Sequence, residues 1–413
     1  MPNTSAPLEH RVRLGGPEEL ITAIPYLLGF HPRESVVAVG LRGRRSRVCL
    51  TLRFDLPGGH RDVRAAEGGP RVGVAAEGEA ATAVNGLREA AAAEGGPGEA
   101  AAAGGAAREA VTVEGGAATA EAGSRDAAPA LSGAVLADLI VGQLRRGGAQ
   151  QAVVLVLTEE GDAPVPRREL AAALNSSLRR ARIGVRDLLC VRGGRWWSYL
   201  CEEPACCPPE GRPVPDAAPD TLVAAMVVEG RVVHAGRDEL AATVATAPRD
   251  DEAGWLRCFA AAEEQHRQRA VPAIARHTVL GEIEVAVRAK AEASHQLSDE
   301  DIARFCVALA ESELRDACLR WLDGSLADAA ESLWRELARA AVRPYAAAPA
   351  TLLGLHAYAR GDGTLAQMCL DRALADDPVY TLALLVREGL AEGIPPAEIR
   401  KLAACVEEAE ADT

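Results

Sequence analysis

The fold of this 413-residue chain is decided by the stretch GGPEELITAIPYLLGFHPRESVVAVGLRGRRSRVCLTLRFDLP, residues 15–57. Pro17 suits the first turn of a helix and Gly29 predicts where that helix ends, whereas Pro25 predicts a kink or an early break within it. The apolar run ESVVAVGL is typical of a buried strand, and RVCLTLRFDLP alternates apolar and polar residues as a second strand does. The stretch therefore predicts a helix followed by a strand hairpin.

The same alternation of helices and strands resumes after Leu131. A helix (GAVLADLIVGQLRRGG), a strand (QAVVLVLT), a second helix (PRRELAAALNSSLRRARIG) and two further strands (RDLLCVRGG and RWWSYLC) follow one another, and Gly193-Gly194 predicts a tight turn between the last two. Helices that alternate with apolar strands favour a layered α/β domain whose sheet has some parallel pairing. We expect this domain, with a mixed sheet, to span residues 1–248.

Residues 57–130 interrupt that domain with a different composition. They are Gly, Ala and Glu with almost no large apolar side chains, and the triplet EGG recurs at Glu67, Glu94 and Glu114. Such a segment buries too little apolar surface to offset its ordering entropy. The composition predicts a disordered insertion.

Residues 249–413 show helical periodicity throughout and predict an all-α domain of helical hairpins. Ser298 is the expected N-cap of a single helix at about residues 299–321. The pair at 347–380 resembles a tetratricopeptide repeat, with small, large and proline positions at Gly354, Ala366, Leu370, Ala373 and Pro378. It departs from that pattern at Ala350, where the repeat carries an aromatic residue.

Composition excludes several classes of function. The formal net charge is −14, which disfavours nucleic acid and anionic membrane surfaces as partners. No apolar run is long enough for a transmembrane helix, and the N-terminus lacks the apolar core of a secretion signal. We therefore expect a cytoplasmic protein with reduced thiols. Seven of the ten cysteines are expected in the cores, namely Cys49, Cys190, Cys258, Cys306, Cys318, Cys369 and Cys405.

Three segments carry a resemblance to a known family. GGPEELITAIPYLLGFHPRESVVAVGL, RWWSYLCEEPACCPPEG and LLGLHAYARGDGTLAQMCLDRALADDP are similar to the actinobacterial domain-of-unknown-function 4192 family (DUF4192). The resemblance covers nearly all of the chain except the insertion. It implies a bacterial, cytoplasmic protein, and it supplies no catalytic residues.

The remaining three cysteines, Cys201, Cys206 and Cys207, lie within seven positions of one another. Neighbouring Cα atoms are about 3.8 Å apart, which is too close for the usual disulfide, so Cys206 and Cys207 are not expected to pair. The spacing C-x4-C-C fits zinc with three thiolates, but structural zinc takes four ligands, and only His31 or His234 is a candidate by type. Glu202 and Glu203 should raise the thiol pKa values. The alternatives are a structural loop, a metal site and a redox site.

Other candidate ligand residues lie where the first helix meets its strand. His31, Arg33 and Glu34 of GFHPRES can line a pocket, or they form an exposed turn. Trp196 and Trp197 alternate along one strand, so one should be buried and the other partly exposed; the exposed Trp197 marks a ligand surface or packs on the following loop.

Three functional hypotheses remain. The binding hypothesis is a non-enzymatic regulatory protein whose helical domain engages a protein partner. The enzyme hypothesis places a catalytic or sensing site near His31 in the α/β domain. The switch hypothesis assigns a thiol or zinc switch to Cys201, Cys206 and Cys207, and it requires the three sulfur atoms to point at one centre.

Overall fold

A computed structural model describes residues 16–43, 46–56, 75–76, 132–161, 165–228, 232–268, 272–292 and 297–411. The first 15 residues and nearly all of the predicted insertion at 57–130 lie outside these described residues. None of the helices within the described ranges has the length and apolar content that crossing a membrane requires.

The N-terminal part is built on one mixed sheet. Its strands are β1 (Ser35–Arg42), β2 (Arg47–Asp55), β3 (Ala75–Ala76), β4 (Gln151–Leu157), β5 (Gly184–Arg192), β6 (Arg195–Ser198) and β7 (Arg212–Pro213). They lie in the order β3-β2-β1-β4-β5-β6-β7. The β1–β2 hairpin is antiparallel and β4 and β5 are parallel, which confirms the hairpin and the mixed pairing that the sequence predicts.

Helices α1 (Pro17–Leu28), α2 (Gly133–Arg146), α3 (Arg168–Arg180), α4 (Asp220–Val228) and α5 (Arg237–Ala242) accompany the sheet. The central strands β1 and β4 are buried along almost their full length, because apolar residues stand on both of their faces. Pro25 does not end α1, which continues to Leu28 and stops at Gly29 in the left-handed conformation (φ 78°). The expected early break is therefore wrong, and the expected glycine stop is confirmed.

The C-terminal part is helical. Its elements are α6 (Glu252–Arg267), α7 (Pro272–Ala291), α8 (Asp299–Ala308), α9 (Ser312–Ala317), a 3-10 helix at Cys318–Leu322, α10 (Ala327–Ala340), α11 (Ala347–Ala359), α12 (Gly363–Asp376), α13 (Thr381–Glu392) and α14 (Pro396–Ala411). The predicted N-cap is confirmed, since the Ser298 hydroxyl accepts a hydrogen bond from the Asp301 N–H at 3.1 Å. The single helix expected at 299–321 is instead three short elements.

Helices α11 and α12 form the hairpin expected at 347–380. Gly354 lets the two helices approach closely, because a Cβ atom at this position would lie 3.2 Å from the Cys369 Cβ and 3.4 Å from the Ala366 carbonyl oxygen. The core of the hairpin is apolar, with Tyr358 fully buried and its hydroxyl donating to the carbonyls of Gly389 and Ile394. The last helices are thereby joined to this hairpin.

The two parts of the molecule share one connected set of buried apolar side chains. The segment after α5 lies against the helices, since the Ala247 N–H donates to the Arg339 carbonyl and the Arg339 side chain donates to the Ala242 carbonyl. Trp255 and Trp334 are buried in the helical part, and Trp196 is buried at the sheet while Trp197 is half-buried. The expected alternation of the tryptophan pair is confirmed.

Candidate functional site

The segment at residues 199–211, which we call the cysteine loop, joins β6 to the two-residue strand β7 at one side of the sheet. It leaves the sheet where the Tyr199 N–H donates to the Leu188 carbonyl at 2.8 Å. It returns where Arg212–Pro213 pairs with Arg195 and Trp196. The loop is therefore anchored to the sheet at both ends.

Two turns inside the cysteine loop bring its thiols together. The Ser198 hydroxyl accepts hydrogen bonds from the N–H groups of Leu200 and Cys201 at 3.1 and 3.2 Å. The Glu203 carbonyl accepts from the N–H groups of Cys206 and Cys207 at 3.0 and 2.7 Å. The second turn folds the chain back, so that residues five and six positions apart face each other.

The three sulfur atoms converge. The Sγ atoms of Cys201, Cys206 and Cys207 all lie within 4.8 Å of one another. Cys206 is exposed, whereas Cys201 and Cys207 are half-buried, so the centre between the thiols is open to solvent. This is the arrangement that the switch hypothesis requires.

The thiols do not share one electrostatic environment. The Glu203 backbone N–H and the Cys207 thiol donate to Cys201 and lower its pKa. Burial and hydrogen bonding to the other two sulfur atoms raise the pKa of Cys207 to about 11. The expectation that Glu203 would raise the pKa of this thiol is wrong for Cys201, because the N–H of the same residue outweighs its carboxylate.

The cluster offers a metal ion three potential ligands from the described part of the chain. Among the residues that the structure describes, the group consists of these thiols, and neither His31 nor His234 belongs to it. The two histidines instead lie beside each other, since the His31 N–H donates to the His234 carbonyl at 3.1 Å. Tetrahedral zinc at the three thiols would need its fourth ligand from solvent or from another molecule.

The predicted ligand residues near His31 are engaged in local structure. The Glu34 carboxylate accepts hydrogen bonds from the Thr158 hydroxyl at 2.8 Å and from the Glu159 N–H, which ties the start of β1 to the end of β4. Glu34 adopts a left-handed backbone (φ 40°), while His31 and Arg33 are exposed at the turn. This geometry favours an exposed turn over a pocket.

Trp197 lies on β6, next to the cysteine loop and three strands away from β1 in the sheet. Its indole N–H donates to the Pro209 carbonyl at 3.0 Å. The ring also covers Gly211, where a Cβ atom would lie 2.4 Å from the indole. Of the two alternatives for Trp197, the structure shows packing on the following loop.

Sequence reasoning missed the residues that hold the loop closed. The Arg212 Nε donates to the Cys206 carbonyl at 2.8 Å, and the Arg195 side chain donates to the Gly211 carbonyl at 2.8 Å. Gly211 has φ 76°, a conformation that favours glycine. The only sequence signal for this arrangement is the Gly211-Arg212 pair, one residue after Pro208-Pro209.

A second concave surface lies in the helical part, between α6, α8 and the segment before α6. We call it the helical groove; its volume is about 1210 Å³, and its charged lining residues are Arg249, Asp250, Asp251, Arg257, Asp299, Glu300, Asp301 and Arg304. Arg249 stacks 3.6 Å from the Trp255 ring centre and pairs with Asp299 at 2.9 Å. Asp250 and Glu300 form no ion pair with any residue in the described part of the chain. The groove is polar and carries more carboxylates than guanidinium groups.

Comparison with known proteins identifies the family and nothing more. The family model described as "Domain of unknown function (DUF4192)" matches residues 17–125 and 125–397. No curated protein and no solved structure matches the chain. Because the match spans most of the sequence, the chain belongs to the DUF4192 family.

Proposed function

We propose that this protein is a non-enzymatic switch that binds a thiophilic metal ion in the cysteine loop. The observation that carries the proposal is the convergence of three Sγ atoms within 4.8 Å of one another. Thiolate sulfur is the soft ligand that zinc and Cu(I) prefer in proteins. Among the described residues, no other group of three such side chains is found.

The loop needs little movement to hold an ion. Zn–S bonds of about 2.3 Å place tetrahedral sulfur atoms about 3.8 Å apart. The three sulfur atoms are within about 1 Å of that spacing, and they lie on a segment whose middle residues are exposed. Binding would therefore draw the two turns of the loop together by about 1 Å or less.

The contacts of the loop provide a route from the ion to the sheet. Trp197 covers Gly211, and the Arg212 side chain lies 5.8 Å from the Trp196 ring centre. Arg212 also faces Glu18 of α1 at 3.7 Å. An ion bound in the loop would therefore change the contacts of β6 and of α1. These changed contacts are how the switch would report that the ion is bound.

The test is stoichiometric zinc binding by the reduced full-length protein in competition with a chromophoric chelator. We expect one Zn²⁺ per chain, and Cys201→Ser, Cys206→Ser and Cys207→Ser should each abolish that equivalent. Cys258→Ser is the matched control, because this thiol is also partly exposed but lies in the helical groove. Hydrogen exchange on the same samples should show added protection at residues 195–213 when zinc is present.

Two results would refute the proposal. One is that a variant with any of the three loop substitutions still binds one Zn²⁺ per chain. The other is the absence of zinc, cadmium, Cu(I) and arsenite binding by the reduced protein, since these ions represent the thiophilic class.

A second candidate function, partner binding by the helical part, is supported by the helical groove. The exposed carboxylates of Asp250 and Glu300, which pair with no cation of the described residues, suit a partner that offers basic side chains. We also propose that α10–α14 form a tetratricopeptide-like array, a class of structure that binds peptides on concave surfaces.

For the protein as a whole, we propose a cytoplasmic, actinobacterial setting. The cytoplasm would keep the thiols of the cysteine loop reduced.

Charge reversal in the helical groove tests this second function. If a partner protein binds in the groove, the double variant Asp250→Lys/Glu300→Lys should no longer bind it. The variant Glu392→Lys, an exposed control on α13, should bind it as the wild type does. Binding that is equal for both variants would exclude the groove as the interface.

A further inference from the structure

The geometry points to a specific ion class for the cysteine loop: a three-coordinate thiophilic ion, represented by trivalent arsenic supplied as arsenite. This inference rests on the proposed function and goes beyond it, since the proposal above holds for any thiophilic ion. Three features of the loop support it, namely the number of ligands, the local charge and the access from solvent.

The number of ligands is the first feature. The convergent group contains three thiols, and no imidazole or carboxylate of the described residues joins them. Structural zinc takes four protein ligands and would be left one short at this site. Trivalent arsenic forms three bonds, and its lone pair occupies the fourth direction, so three thiols complete its coordination.

Charge is the second feature. A divalent ion with three thiolates carries one net negative charge, whereas arsenic(III) with three thiolates is neutral. The three carboxylates of the loop, at Glu202, Glu203 and Glu210, outnumber the guanidinium groups of Arg195 and Arg212 that hold it, and the whole chain carries a formal net charge of −14. Because like charges repel, a neutral arsenic(III) complex is more stable beside these carboxylates than the anionic complex of a divalent ion.

Access is the third feature. Arsenite in water is a neutral, pyramidal As(OH)₃ molecule, and it must reach all three sulfur atoms from one side. Cys206 is exposed, and the Cys201 and Cys207 side chains border the same opening.

The binding step balances without an oxidant or a reductant. Three S–H groups and As(OH)₃ give one As(S-Cys)₃ group and three water molecules. Each sulfur forms one As–S bond, each As–O bond breaks, and the three thiol protons leave with the three hydroxyl groups as water. Arsenic stays trivalent throughout.

The experiment uses reduced full-length protein with sodium arsenite as the probe, followed by native mass spectrometry. We expect a mass increase of one arsenic atom minus three hydrogen atoms, together with near-ultraviolet absorbance from As–S bonds. X-ray absorption should show three As–S bonds and no As–O bond. Each single change, Cys201→Ser, Cys206→Ser or Cys207→Ser, should weaken binding by about 100-fold or more, because one of three tethered contacts is lost.

Controls separate a local effect from misfolding. Cys258→Ser should bind arsenite like the wild type, and circular dichroism should show that all variants keep their helical content. Arsenite bound through two sulfur atoms with one retained As–O bond would overturn the inference, as would full affinity in any of the three loop variants.

The same samples distinguish the two proposals. If Zn²⁺ binds at the three thiols and arsenite does not, the inference about the ion class is wrong and the metal switch remains. If neither of these ions, nor cadmium or Cu(I), binds to the reduced loop, both are wrong.

Discussion

The helical part and the cysteine loop place the same side chain in opposite environments. Cys306, Cys318 and Cys369 are fully enclosed by helices, and burial raises the pKa of each of these thiols. In the loop, Cys201 and Cys206 face one open centre, and a backbone N–H lowers the pKa of Cys201. The comparison shows that packing, rather than residue type, decides whether a cysteine acts as an apolar core residue or as a ligand.

The two regions also differ in how they are stabilised. Trp334 is fully buried in α10, and its indole N–H donates to the Nε2 atom of buried His356 at 3.1 Å. The loop is instead held by its own turns, by the Arg195 and Arg212 side chains on its carbonyl groups, and by a half-buried Trp197 against Gly211. We expect substitutions in the helices to change the free energy of unfolding and substitutions in the loop to change ion binding. The following predictions test that division.

The largest expected effect is that of Trp334→Ala. Removing this side chain leaves a cavity and an unpartnered imidazole, so the free energy of unfolding should fall by about 3–5 kcal/mol. Trp197→Ala should lower it by about 1 kcal/mol or less while loosening the cysteine loop. Urea titrations of both variants measure the difference, and equal losses would contradict the comparison.

The next effect is a pH dependence that arises in the helical part. Burial and the nearby Arg360 charge lower the pKa of His356 to about 3, whereas the unfolded chain binds a proton with a pKa near 6.5. The stabilising contribution is therefore complete above about pH 6.5 and is lost as the pH falls toward 3. Between pH 7 and 4.5, about 2–3 kcal/mol of the free energy of unfolding should disappear.

His356→Gln should remove most of that slope, because glutamine does not titrate in this range. His277→Gln is the control, since His277 is exposed on α7 and should leave the slope unchanged. A wild-type protein with the same stability at both pH values would show that His356 is not buried in its neutral form.

A smaller effect separates the two kinds of cysteine directly. Cys369→Ser places a hydroxyl in an apolar core and should cost about 1–3 kcal/mol of unfolding free energy. Cys206→Ser changes an exposed side chain, and in metal-free protein its effect should stay within about 0.5 kcal/mol. If Cys206→Ser were the more damaging of the two, the loop thiols would be structural.

The smallest effect concerns the glycine under Trp197. Gly211 and Gly194 both have positive φ, so alanine at either position is strained by about 1 kcal/mol. Only at Gly211 would the new Cβ atom also meet the indole ring, whereas nothing lies within 4 Å at Gly194. Gly211→Ala should therefore lower zinc affinity and hydrogen-exchange protection in the loop, and Gly194→Ala should change neither.

The sequence alone predicts those helices and strands whose residues follow a strong local pattern. The apolar runs predicted the central strands β1 and β4, and the left-handed stop at Gly29 followed from residue type. It does not predict features that depend on tertiary contacts, such as the burial of individual side chains or the end of a helix. Cys258 and Cys405 are expected in the core but are only half-buried, and Cys258 packs against the edge of the core. The three elements that replace the helix expected at 299–321 follow from packing that no local periodicity records.

The candidate site also has features that the sequence predicts and features that only the folded chain shows. Spacing alone identified Cys201, Cys206 and Cys207, but their convergence depends on two turns centred on the Ser198 hydroxyl and the Glu203 carbonyl. The effect of Glu203 was misjudged because a sequence shows its carboxylate and does not show where its N–H points. Trp197 was expected to be either a ligand surface or a packing residue, and only the position of Gly211 decided between them.

Strand β7 has a consequence for self-association. It contains two residues, one of which is Pro213, and it pairs with β6 at the end of the sheet. A short strand with a proline offers few free N–H groups, so the sheet resists extension by a strand from another molecule. The cysteine loop connects this strand to β6 and holds it in place. Loss of the loop would therefore uncover the apolar, tryptophan-bearing edge of β6 and favour aggregation.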